Sequence, residues 1–113
     1  MPRQEAFQGS LPLLVLKVLA RRGPLHGYGV TARIQEISED VLRVEEGSLY
    51  PALHRMEARG LIEAEWGLSE NNRKAKFYRL TARGRRELRT EAESWSRYVS
   101  VIGKVMAASE QPA

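Results

Sequence analysis

The sequence predicts a mainly α fold of the α+β class, built from four helical segments and one pair of short strands. Three observations carry this prediction. Apolar residues recur at helical spacing in four stretches, each bounded by Gly, Pro or polar residues. Between the third and fourth stretches the pattern changes to alternation, first over Leu61 to Trp66 and again over Lys74 to Leu80. The final helical stretch then continues with apolar residues spaced 4-3-4-3-4, further than a small domain has surface to cover.

The first helix opens at Ser10, whose hydroxyl suits an N-cap, with Pro12 in the first turn, where its missing N–H costs nothing. Leu11, Leu14, Val15, Val18 and Leu19 form its apolar stripe, and Gly23-Pro24 stops it at Arg22. A second helix spans about Gly27 to Ile37, with Val30, Ile34 and Ile37 on one stripe, and the polar run Ser38-Glu39-Asp40 ends it. A third starts near Ser48, because Pro51 is tolerated only in a first turn. Leu49, Leu53 and Met56 face inward, and Gly60 ends the helix. Ser48, Tyr50, Pro51, His54 and Arg55 are left toward the opposite side. Three short helices in succession, the last bearing polar and basic groups, form a helix-turn-helix type of organisation.

In the first strand Ile62, Ala64 and Trp66 point to one face and Glu63 and Glu65 to the other; in the second, Tyr78 and Leu80 point inward. The intervening Gly67 to Arg73, with Ser69, Asn71 and Asn72, is turn material. Two strands joined by a polar, basic loop after a three-helix unit make a winged helix-turn-helix. Thr81 then caps a last helix that extends to about Ala108, roughly 40 Å long at 1.5 Å per residue. Leu88, Ala92, Trp95, Val99, Ile102 and Met106 lie along its heptad-type seam. Monomers rarely expose such a seam, so a partner helix is expected, and a second copy of the chain is the simplest supplier. The other arrangement is a helix folded back onto its own domain. The chain therefore divides into a winged helix-turn-helix domain over 1–80 and a C-terminal dimerisation helix over 81–113. The ends, Met1 to Gln8 and Ser109 to Ala113, are expected to fray.

Composition narrows the function. With 113 residues, 42% hydrophobic and 28% charged, the chain is of a size and composition to fold as one compact domain. It has no cysteine, which excludes disulfides, thiolate metal sites and Cys nucleophiles. His26 and His54 lack ligand-like spacing, so no metal site is expected. The longest apolar run, Leu11 to Leu16, is too short to span a bilayer and lacks a signal-peptide cleavage site, which points to a cytoplasmic protein with no membrane association. Charge is segregated. Arg73 to Arg89 holds eight basic residues against one acid, Glu87, a net of +7 that leaves the rest of the chain at −3 out of a total of +4. A basic patch on a mildly acidic body suggests a polyanion, and nucleic acid is the commonest; the plain alternative is a solvated helix face.

No catalytic constellation presents itself: His54 and Glu57 can meet on one helix turn, but no nucleophile or phosphate-cradling glycine loop accompanies them. The sequence is thus read as a non-enzyme without a cofactor. The exposed side of the third helix offers a hydroxyl, a phenol, an imidazole and a guanidinium, groups suited to phosphate positioning and base-edge readout in a major groove. Tyr50 has a second use, packing against Pro51 or a neighbouring helix. Arg73, Lys74 and Lys76 on the wing would reach flanking phosphates or the minor groove. Arg83, Arg85 and Arg86 add to them, since cations at a helix N-terminus oppose its dipole and need something outside the helix to favour them. Glu45 and Glu46 count against the DNA reading, because just before the third helix they would repel phosphate.

These residues carry a family resemblance. Leu25-His26-Gly27-Tyr28, the run Glu46 to Glu57 with its Gly-Ser-Leu-Tyr-Pro-Ala-Leu core, Gly60-Leu61-Ile62, and Lys76-Phe77-Tyr78-Arg79-Leu80-Thr81 with Gly84 resemble the PadR family of bacterial winged-helix transcriptional regulators, across about Leu11 to Trp95. Met56 stands where Leu is more usual, a volume-conserving change. The single C-terminal helix resembles the smaller subfamily, whose members dimerise through it. The resemblance implies a homodimeric regulator, usually a repressor, on inverted-repeat operator DNA. It puts Ser48, Tyr50, Pro51, His54 and Arg55 on recognition-helix positions and Arg73 to Lys76 on the wing. Some small members hold flat aromatic effectors between tryptophans at the dimer interface, and Trp95 occupies a comparable place, so a planar aromatic small molecule is an expected partner. The rival function is a winged-helix module that binds protein rather than DNA.

Overall fold

The computed structural model of the chain describes residues 4–109. In chain order it forms α1 (Gln4–Arg22), β1 (Leu25–His26), α2 (Gly27–Ile37), α3 (Glu46–Ala58), β2 (Ile62–Leu68), β3 (Lys74–Leu80) and α4 (Ala82–Ala107). This is the mainly α winged helix-turn-helix with a long C-terminal helix that the patterning predicts. Of the ends expected to fray, Gln4 to Gln8 are instead helical; 1–3 and 110–113 lie outside the described residues.

Two helix starts differ from expectation. The first helix begins at Gln4, so Ser10 lies within it and Pro12 is interior. Gln, Glu and Ala after Arg3 are good helix formers and extend the helix upstream, at the cost of the one bond that Pro12 cannot donate. The third begins at Glu46, with Glu45 at the N-cap and the Ser48 and Leu49 N–H groups both donating to the Glu45 carbonyl at 3.0 Å. Pro51 therefore falls in the second turn, and the carbonyl it leaves unpaired belongs to Gly47, which is exposed and open to water.

Leu11, Val15, Leu16, Val18 and Leu19 of α1 pack on Val30 and Ile34 of α2, on Leu49, Ala52, Leu53 and Met56 of α3, and on Leu61, Ile62, Tyr78 and Leu80. Ile37 does not join them: it is 54% exposed, because α2 ends one turn past the edge of the core. The sheet has the order β1-β3-β2, all antiparallel, with Leu25 opposite Tyr78 and Ile62 opposite Leu80. Strand β1 is unexpected; two residues are too few to show a period.

The hairpin is longer than the core it covers, and that decides the fate of one residue. Ile62, Ala64, Trp66 and Leu68 share a face with Leu80, Tyr78, Lys76 and Lys74 opposite them. At the base of the hairpin this face is core; toward the tip the helices run out. Trp66, expected inward with Ile62 and Ala64, is instead 61% exposed.

Helix α4 is anchored at its start. Thr81 Oγ1 accepts from the Gly84 N–H at 3.0 Å and donates to the Gly60 carbonyl at 2.7 Å. Gly84 is buried so closely against the link between α3 and β2 that a Cβ there would lie 2.0 Å from the Leu61 carbonyl oxygen. Leu88 packs on the edge of the core. Beyond it the helix leaves the body, which accounts for a molecule 65 Å long and only 21–28 Å across.

Candidate nucleic-acid interface

The exposed face of α3 is a ridge with two flanks. Tyr50 and His54, one turn apart, look toward the hairpin; Ser48, Pro51 and Arg55 look toward α1, where they line a shallow polar cleft of about 200 Å³ beside Leu11. Tyr50, Pro51, His54 and Arg55 are exposed and Ser48 is half-buried. Tyr50 also packs: its hydroxyl sits where a side chain on Gly27 would be, 2.5 Å from the position of a Cβ, so glycine at the start of α2 is what lets the ring lie there. Of the two uses expected of it, the packing is seen, on the start of the neighbouring helix, and the residue remains 36% exposed.

Between the Tyr50–His54 flank, the start of α2 and the hairpin lies a larger cleft of about 560 Å³. Its floor is Tyr78, whose phenol burial pushes above the ordinary tyrosine range, with Lys76 pulling the other way. Lys76 is half-buried, its ammonium 5.8 Å from the Tyr78 ring centroid and 3.4 Å from the Glu57 carboxylate on α3. Glu57 is thus engaged across the cleft by Lys76, which ties the wing to the third helix. Lys74 is exposed and lies over the Trp66 ring at 5.3 Å, a cation–π contact made diagonally across the hairpin. Arg73 is exposed at the tip, held by a turn in which the Ser69 N–H donates to the Arg73 carbonyl at 2.8 Å and Asn72 takes a left-handed φ of 60°.

The basic segment is not one patch. Arg73 and Lys74 lie at the tip and Lys76 part-way along β3; Arg79 lies near the base and Arg83, Arg85 and Arg86 beyond it, the strand from Lys74 to Leu80 spanning about 20 Å. Arg79 pairs with Glu63 at 2.8 Å, Arg59 with Glu87 at 3.3 Å, and Arg83 lies beside Gly60. Arg83, Arg85 and Arg86 therefore stand at the start of α4, apart from the wing tip. Glu45 and Glu46 are exposed at the start of α3, where Glu46 complements the helix dipole.

Sequence reasoning gave no place in the site to three cleft residues, one of which, Trp66, it assigned to the inward face of the hairpin. His26 caps α2, its Nδ1 accepting from the Gly29 N–H at 2.9 Å, with its ring 5.3 Å from Phe77. Tyr28, 75% exposed, and Trp66 complete the wall. A histidine immediately before a helix start was the available signal for the first. Nothing in the pattern distinguishes Tyr28 from a surface residue.

The seam residues fall in two groups. Leu88 contacts the chain's own core and Trp95 is half-buried, its ring edge-on to Tyr98 at 5.7 Å. Ala92, Val99, Ile102 and Met106 are exposed, Val99 by 60% and Met106 by 78%, and Tyr98, Val101 and Val105 widen the apolar surface. Among the described residues no group of three or more His, Asp or Glu is placed to hold a metal, and no helix is long and apolar enough to cross a membrane.

Known proteins share this arrangement. The model of the transcriptional regulator PadR-like family matches residues 15–90. A transcriptional regulator of Mycobacterium tuberculosis is 42% identical over 82 residues, covering 73% of each protein. The solved structure of a transcriptional regulator from Clostridium thermocellum superposes with a TM-score of 0.82 at 25% identity, over 92% of this chain and 97% of that one. A PadR family transcriptional regulator from Eggerthella lenta superposes with a TM-score of 0.75 at 31% identity, over 93% and 88%.

Proposed function

The chain belongs to the PadR-like family of transcriptional regulators, and from that premise we propose that it acts as a homodimeric repressor on inverted-repeat operator DNA in the cytoplasm. The observation that carries this is the cleft: an exposed α3 ridge with a wing beside it whose tip ends in Arg73 and Lys74. Tyr50 and His54 on one flank and Ser48, Pro51 and Arg55 on the other suit insertion between two walls of a major groove, where Arg55 has the bidentate geometry that recognises guanine. Arg73, Lys74 and Lys76 supply phosphate contacts. Lys76 is the weakest of the three, because Glu57 already neutralises it.

In this proposal 1–80 is the DNA-binding unit and 81–113 the dimerisation helix. The exposed Val99, Ile102 and Met106 favour a second copy over a helix folded back on its own domain. Two α4 helices crossing at a two-fold axis would bring two Trp95 rings near each other, and two flat faces suit a planar aromatic effector. Such a ligand releases DNA only if it favours one spacing of the two α3 helices. Saturable quenching of tryptophan emission by planar aromatic dyes, lost in Trp95→Ala and kept in Trp66→Phe, supports that site; no quenching makes Trp95 plain packing.

Selection of bound duplexes from a random pool tests the whole proposal. An inverted repeat with half-sites about 10 base pairs apart, or a multiple of that, is expected. No enrichment above the starting pool contradicts it and leaves a protein-binding winged helix.

A further inference from the structure

Two large aromatic rings stand in the cleft with no packing role that explains them. Trp66 is 61% and Tyr28 75% exposed, one on the hairpin and one on α2, both lining the same cleft as Tyr50 and His54. The α4 seam lies at the other end of the hairpin, so dimerisation through it would leave them uncovered. Exposed apolar surface concentrated in a concavity where Arg73, Lys74 and Lys76 outnumber Glu70 marks a contact surface rather than chance. Its charge also names the occupant: Lys74 lies over the Trp66 ring and Arg73 lines the same cleft, so whatever covers the ring meets positive charge and suits a polyanion.

We propose that Trp66 and Tyr28 pack against deoxyribose edges of the duplex backbone, forming a non-ionic grip beside the phosphate contacts of Lys74 and Arg73. The inference rests on the DNA-binding reading above and deepens it. A backbone repeats alternating phosphate and sugar, and the Lys74–Trp66 pair repeats that alternation as a cation next to an apolar face. When a phosphate engages Lys74, the neighbouring sugar lies over the indole. The same pairing gives the diagonal arrangement across the hairpin a purpose: the ring holds the ammonium close to the chain, and the ammonium directs the phosphate to the ring. Because sugar is common to every base pair, the contact adds affinity without sequence preference. Because it displaces no counterion, it adds affinity without salt dependence.

The test is duplex affinity as a function of salt for the full chain and three variants: Trp66→Ala, Trp66→Phe and Tyr28→Ala. Losing about 50 Å² of covered ring converts to about a tenfold loss of affinity. Trp66→Ala is expected to show that loss on operator and unrelated duplexes alike, with the slope of log K against log salt unchanged. Trp66→Phe keeps a flat ring and most of the affinity, and Tyr28→Ala gives a smaller loss of the same kind from a different element. Urea unfolding midpoints near that of the parent are expected, since both rings are exposed. The proposal is overturned if Trp66→Ala and Tyr28→Ala bind within twofold of the parent, if Trp66→Phe loses as much as Trp66→Ala, or if the salt slope falls, which would make the ring only a support for Lys74. If those variants fail while the parent still binds duplex DNA, this inference alone is lost. A parent that binds no duplex removes the DNA-binding reading itself.

Discussion

Single side chains on α3 and the wing divide by what they can tell a duplex. Arg55 is exposed on the α1 flank of the ridge and Lys74 is exposed on the wing; in the proposed complex the first would read base edges and the second only backbone. Arg55→Ala is expected to cost about 1–3 kcal/mol at a selected site and to relax preference at one position. Lys74→Ala is expected to weaken every duplex alike and to lower the salt slope by about one. Equal loss of specificity in both variants would move the reader elsewhere. Gly84 makes a prediction about stability instead. A Cβ there meets a backbone carbonyl at 2.0 Å, which no rotamer change relieves. Gly84→Ala is expected to destabilise the fold by about 1–3 kcal/mol or more by urea unfolding, and an unchanged midpoint would show that α4 docks less tightly than described. Some of this scale was legible in the sequence. The Thr81 cap was, because capping depends on a residue type at a helix boundary. Close approaches were not: that Gly27 makes room for Tyr50, or that Glu57 faces Lys76, depends on elements meeting that are distant in the chain.

Elements were the most legible scale, and their boundaries the least. Val30 and Ile34, Leu49 with Leu53 and Met56, and the Ile62–Ala64 alternation each betray a buried face, and α2, β3 and the end of α1 fall where breakers put them. Both misplaced starts share one cause. The rule that confines proline to a first turn fails here, because tertiary packing of Leu11 and Leu49 outweighs one missing hydrogen bond. Trp66 illustrates the other limit. Alternation identifies which face a residue is on, but not whether anything covers that face, and here the cover ends two residues earlier. The same holds for α4, where the seam periodicity identifies a stripe and cannot say what lies on it. Ile102 sits in the exposed half of that stripe. Ile102→Glu is expected to shift the chain from dimer to monomer in sedimentation velocity at tens of micromolar, because an unpaired charge in an apolar seam is costly. A parent protein that sediments as a monomer at that concentration would contradict dimerisation through α4.

At the scale of the whole molecule, the two ends of the hairpin do different work. Its base is clamped to α4 through Thr81, Gly84 and Leu88, so the wing, α3 and the projecting helix form one mechanical unit. In the proposed dimer, a change in how two α4 helices cross would therefore be carried to the two α3 ridges through this clamp. Charge follows the same division. The cations at the tip are largely open, while those at the base are partly answered by Glu63 and Glu87. Sequence alone merges these groups into one patch of +7, because net charge along a chain ignores where a hairpin folds it. The most direct measurement is the affinity of the full chain for a selected duplex and a scrambled one across a salt series. A DNA-reading regulator is expected to bind both less tightly as salt rises, with log K falling linearly in log salt, and to keep a preference of about a thousandfold or more for the selected duplex. Binding that ignores salt, or that treats the two duplexes alike throughout the series, would contradict the central claim.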